Sequence, residues 1–219
     1  MDSKRHFYRF IIVMSILAGV FISICDYLVQ MTTTETSYFV SRILTLDQTI
    51  LNLASYGCIF MFPSWIAGMV FVYKAGIFVN KNLSLIISIC IVYALLMLSF
   101  YHYSYIVIDR VGAFSSRILP GDWDLLNSIN APFNPFMFIL LPLSWIIIGL
   151  MSLSKKSIIP VWTIVINPVV LTLLLWVLGR ICPAIFTPLQ PCIFSLSVTA
   201  YILICYLYID KRKLRDAKK

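Results

Sequence analysis

Six apolar runs, each close to the length that crosses a bilayer, leave this chain few ways to fold. They are Phe10–Met31, Ile50–Tyr73, Leu83–Ile108, Phe136–Leu153, Ile158–Gly179 and Cys192–Ile209. At ~1.5 Å of rise per residue, about 20 helical residues cover ~30 Å of hydrocarbon. A lone strand at that depth would leave its backbone groups unsatisfied, so every run is expected to be a helix. The third is long and is expected to tilt or to project beyond the bilayer. Charged residues make up 12% of the chain and hydrophobic ones 61%, whereas a soluble domain carries roughly 25% charged residues. The expected fold is therefore all-α: one polytopic domain of six transmembrane helices in the cell membrane, ending in a basic tail over residues 210–219.

The basic residues set the expected orientation. Lys4, Arg5, Arg9, Lys74, Lys81, Lys155, Lys156 and six Lys/Arg in the tail fall on one side of such a bundle, thirteen in all. Arg42, Arg110, Arg117 and Arg180 fall on the other, only four. Basic loops stay in the cytoplasm, so both termini are expected there. This distribution accounts for the net charge of +8 without nucleic acid as a partner. The partner is instead the lipid bilayer, with the tail drawn to anionic headgroups. No small-x-small cleavage site follows the first run, which is read as a retained helix rather than a signal peptide.

Against this background Asp26 stands out, a carboxylate inside the first run. A charged group at membrane depth is costly and marks a functional site by default. It lies sixteen residues beyond Phe10, roughly 24 Å across, and so toward the outer face. His102 lies nineteen residues beyond Leu83, roughly 28 Å along the third run. Asn52, Tyr56 and Arg180 are placed at the same outer end, with Gln190 and Asn134 nearby. These residues are the candidates for an outward-facing polar pocket. Each also has a plain alternative: hydration for Asp26, an aromatic belt for Tyr101-His102-Tyr103, and a helix C-terminus for Arg180.

No catalytic signature of the HExxH, GxSxG, P-loop or dinucleotide-glycine kind occurs. With only His6 and His102, a multi-histidine metal site is excluded, and six cysteines without a CxxC spacing suggest none either. Neither metal nor cofactor is expected. Cys182 and Cys192 bracket a proline-rich loop and would form a disulfide if that loop faces an oxidising compartment. Asn167-Pro168, roughly 14 Å into the fifth run, is expected to kink it, and Pro63, Pro142 and Pro160 invite the same reading. The connection from Asp109 to Pro135 carries Pro120-Gly121-Asp122, then Trp123, Leu126 and Ile129 at helical spacing, which predicts a short interfacial helix on the outer side.

Cys25-Asp26-Tyr27-Leu28, His102 and the Pro183…Pro188…Pro191…Phe194-Ser195-Leu196 run together resemble an uncharacterised bacterial family of multi-pass membrane proteins, a domain of unknown function. The resemblance implies an all-helical membrane fold and no particular activity. Three function classes follow from the residues. One is a protein whose outer pocket binds or transports a small molecule or a lipid headgroup. Another is an assembly or scaffold protein whose polar residues bond across helices. The third is a membrane-embedded enzyme using Asp26 and His102 as an acid–base pair. The absence of a nucleophile or metal motif places the enzyme last.

Overall fold

The computed structural model describes residues 2–30, 47–114, 131–132, 134–186 and 189–216. The interfacial helix expected around Trp123 lies outside these residues. Among them every regular element is helical. We label the main helices α1 (Asp2–Gln30), α2 (Gln48–Gly76), α3 (Lys81–Phe114), α4 (Phe136–Ser152), α5 (Pro168–Ile181) and α6 (Gln190–Asp216).

Four of these have stretches long and apolar enough to cross a membrane: His6–Val29, Gln48–Gly76, Lys81–Phe100 and Cys192–Arg212. The other two are shorter. The fifth expected span departs most from expectation, because Ile158–Gly179 is not one kinked helix. Residues 153–159 turn, Val161–Ile164 form a 3-10 turn, and α5 starts afresh at Pro168. Its 14 residues cover only ~21 Å.

The cause is local. A residue before proline is pushed out of the α region, and Asn167 sits at φ −58°, ψ 133°. Its Oδ1 accepts from the Val169 N–H at 3.1 Å, which makes it the N-cap of α5 with Pro168 at the first helical position. Unwound backbone in an apolar interior needs partners. Here Asn167 Nδ2 donates to the Trp145 carbonyl at 2.8 Å, Ser197 Oγ donates to the Ile166 carbonyl, and Thr163 Oγ1 donates to the Pro160 carbonyl at 2.7 Å.

Among the described residues two wide π turns interrupt other helices, Leu53–Gly57 in α2 and Phe136–Leu140 at the start of α4. The second lies just ahead of Pro142, whose ring would crowd the Phe138 carbonyl in a regular α turn.

The bundle is organised around α1, which packs on α6 and on α2. On the far side of α2 lies α3, which also meets α4, while α5 leans on α6. Trp65, Trp145, Tyr201, Phe62 and Phe71 are the largest fully buried side chains. Close approach of α1, α2 and α6 requires Gly19, because a Cβ there would collide with the Thr199 side chain and come 2.7 Å from Trp65 Nε1. At the opposite end of α1, Lys74 Nζ sits 3.6 Å above the Tyr8 ring, and Arg212 lies 4.1 Å above Phe78. Phe71 touches both Tyr8 and Tyr206 edge-on. The start of α1, the α2–α3 turn and the end of α6 thus share one basic end of the bundle.

Candidate functional site

At the other end, three helices bring Asp26, His102 and Ser195 together. Asp26 lies in the last turns of α1 and is 9% exposed; His102, in α3, is 2% exposed. The carboxylate serves both partners. Its Oδ1 lies 3.3 Å from His102 Nε2, and Ser195 Oγ donates to Oδ2 at 2.9 Å. Residues far apart in sequence therefore meet at one buried acid.

The surroundings hold this arrangement from several sides. The His102 ring packs against Phe62 of α2 at 5.4 Å between centroids, and Phe62 meets Trp65 edge-on at 5.6 Å. Trp65 Nε1 donates to Thr199 Oγ1 at 3.0 Å, and that hydroxyl donates to the Ser195 carbonyl at 2.7 Å. The contacts close into a ring running from His102 through α2 and α6 back to Asp26. Next to the acid, Cys25 Sγ points to the Leu53 carbonyl at 3.7 Å, and the backbone of Ala54 lies against His102. Both belong to the π turn of α2, a distortion that recurs at functional sites because it re-aims carbonyl groups.

One hydroxyl donor and one imidazole nitrogen beside the carboxylate limit what the group can do. A carboxylate and an imidazole in contact can hold or pass a proton, or grip a polar or cationic group. A serine nucleophile needs its hydroxyl directed at the imidazole, whereas Ser195 Oγ has Asp26 Oδ2 at 2.9 Å and the Cys192 carbonyl at 3.2 Å as its acceptors. Among the described residues no group of three or more His, Cys, Asp or Glu is suited to a metal ion.

The remaining sequence candidates do not join this centre. Asn52 Oδ1 accepts from Gln48 Nε2 at 3.4 Å at the exposed start of α2. Tyr56 is 43% exposed. Arg180 is exposed, with its guanidinium 5.2 Å from the Trp176 ring. The expected disulfide is not formed. Both thiols are free, Cys192 pointing at the Leu189 carbonyl at 3.3 Å and Cys182 closing the C-terminus of α5. Gln190 Nε2 donates to the Leu175 carbonyl at 3.3 Å.

Sequence reasoning missed Ser195, Thr199 and Trp65 as parts of the site. Ser195 and Thr199 are spaced i, i+4 on α6, which puts them on one face. Serine and threonine are too common in membrane helices for that spacing to single them out. No protein-family model matches the chain, and no curated protein or solved structure is significantly similar to it.

Proposed function

We propose that this chain is a six-span protein of the cell membrane, with both termini cytoplasmic, that binds or transports a small molecule or a lipid headgroup at its outer end through Asp26 and His102. The observation that carries this reading is the Asp26–His102 pair, 3.3 Å apart inside an apolar bundle. Two ionisable groups cost several kcal/mol to bury, and apolar side chains of similar volume hold helices together at least as well. A ligand or proton that uses the pair accounts for its presence. In this view the 3-10 turn and α5 together make the fifth crossing, and α4 makes the fourth. The basic end formed around Lys74 and Arg212 faces the cytoplasm.

A second reading has its own support. The Ser195–Asp26 and Trp65–Thr199 bonds join α1, α2 and α6 and would serve a scaffold that has no ligand. Thermal unfolding of the purified protein with sodium, potassium, ethanolamine, choline or glycerol phosphate separates the two. Binding predicts that at least one of these raises the midpoint of the wild type and leaves Asp26→Asn unmoved. If none does so, and Asp26→Asn is less stable than the wild type, the scaffold reading takes over.

A further inference from the structure

We infer that the groove between α2 and α3, running from mid-bundle toward the basic end, is a binding site for one anionic phospholipid, separate from the Asp26 centre. The groove has a volume of about 420 Å³. On α2 it is lined by Ile66, Val70 and Tyr73, at i, i+4 and i+7; on α3 by Ser88, Val92 and Leu96, at i, i+4 and i+8. Each set shares one helix face, so each helix contributes one wall of the groove. The lining is apolar except for Tyr73, Tyr93 and Ser88, which suits an acyl chain.

Its polarity is graded along its length. Lys81 precedes Ser88 by seven residues and therefore lies on the same face of α3, ~10 Å nearer the basic end. It is exposed, whereas the ammonium of Lys74 is already seated on the Tyr8 ring. A chain lying against Val92 and Leu96 would bring its phosphate to the depth of Tyr73 and Lys81. This charge complementarity favours an anionic lipid over a zwitterionic one. It also disfavours a second copy of the chain, which would bring the same lysine to the same end. Tyr93, on the α3 side of the groove, is held edge-on by Phe136 of α4 at 5.1 Å, so that wall is braced from behind.

Native mass spectrometry of the full chain tests this, with phosphatidylglycerol and phosphatidylcholine of identical acyl chains and with inorganic phosphate as the third probe. The wild type should retain one phosphatidylglycerol in preference to phosphatidylcholine and should retain no free phosphate. Val92→Trp, which fills the groove, should abolish that retention. Lys81→Gln, an exposed change that leaves the fold alone, should weaken it about fivefold, the factor a basic residue contributes at an anionic surface. Equal retention of the two lipids by the wild type would overturn the proposal, as would undiminished binding by Val92→Trp with an unchanged unfolding midpoint. A lipid-free dimer that Val92→Trp dissociates would assign the groove to a second copy instead.

Discussion

Replacing Asp26 and His102 by alanine, singly and together, should reveal a coupling energy of about 1 kcal/mol. Asp26→Ala removes the carboxylate that faces His102 Nε2 and accepts from Ser195 Oγ, whose hydroxyl keeps the Cys192 carbonyl at 3.2 Å as a second acceptor. An unsatisfied buried group costs roughly 1–3 kcal/mol in soluble proteins. Polar contacts between membrane helices average only about 0.6 kcal/mol and reach about 1.7, because the separated helices find other partners. The lower scale applies here, which puts Asp26→Ala at about 1–3 kcal/mol for its two bonds. His102→Ala loses one of those bonds and the packing on Phe62. The double variant loses the shared bond once rather than twice, and that difference is the coupling. A cycle through Ser195→Ala should give a similar value with Asp26. His102 and Ser195 meet through the carboxylate and should couple least. Unfolding in mixed detergent micelles, followed by helicity, supplies the four free energies of each cycle. Additivity of Asp26→Ala and His102→Ala within about 0.3 kcal/mol would refute the pairing, since that is the behaviour of independent sites.

Reporter fusions at Lys155 and Arg117 should report opposite compartments, with Lys155 cytoplasmic; the same compartment for both would overturn the proposed topology. Gly19→Ile should destabilise the bundle by about 1–3 kcal/mol, as overpacking does, because α1 cannot approach Thr199 and Trp65 with a branched side chain there. Wild-type stability in that variant, measured in the same micelles, would show that α1 and α6 do not cross at this glycine.

Much of this architecture is legible in the order of residues. Most runs of apolar side chains uninterrupted by charge become helices because that satisfies the backbone in lipid, and where residues 160–167 unwind, side chains satisfy it instead. Depth is a one-dimensional quantity that accumulates at a constant rise per residue, so counting along two helices placed Asp26 and His102 at similar levels. Rotation about the helix axis is another matter. Asn52, Tyr56 and Arg180 were assigned to the same end by the same count, yet Tyr56 and Arg180 are exposed and Asn52 pairs with Gln48. Which face turns inward depends on what packs against it.

The contact of Asp26 with Ser195 shows why. It exists because α1 and α6 come close, and they come close because Gly19 leaves room for the Thr199 hydroxyl that Trp65 Nε1 binds. That is a condition on three helices at once, and none of them expresses it alone. The same holds at Asn167-Pro168. Proline by itself announces a disturbed helix and permits either a kink or a new start. The outcome was decided across the bundle, where the Trp145 carbonyl takes one end of the Asn167 amide while the other end caps α5. Local sequence therefore determined where most of the helices run and the level each polar group takes along its own helix, but not that residues 158–167 unwind. Only tertiary packing decided which of those groups meet, because a hydrogen bond between helices needs both rotations and the gap between them to be right together.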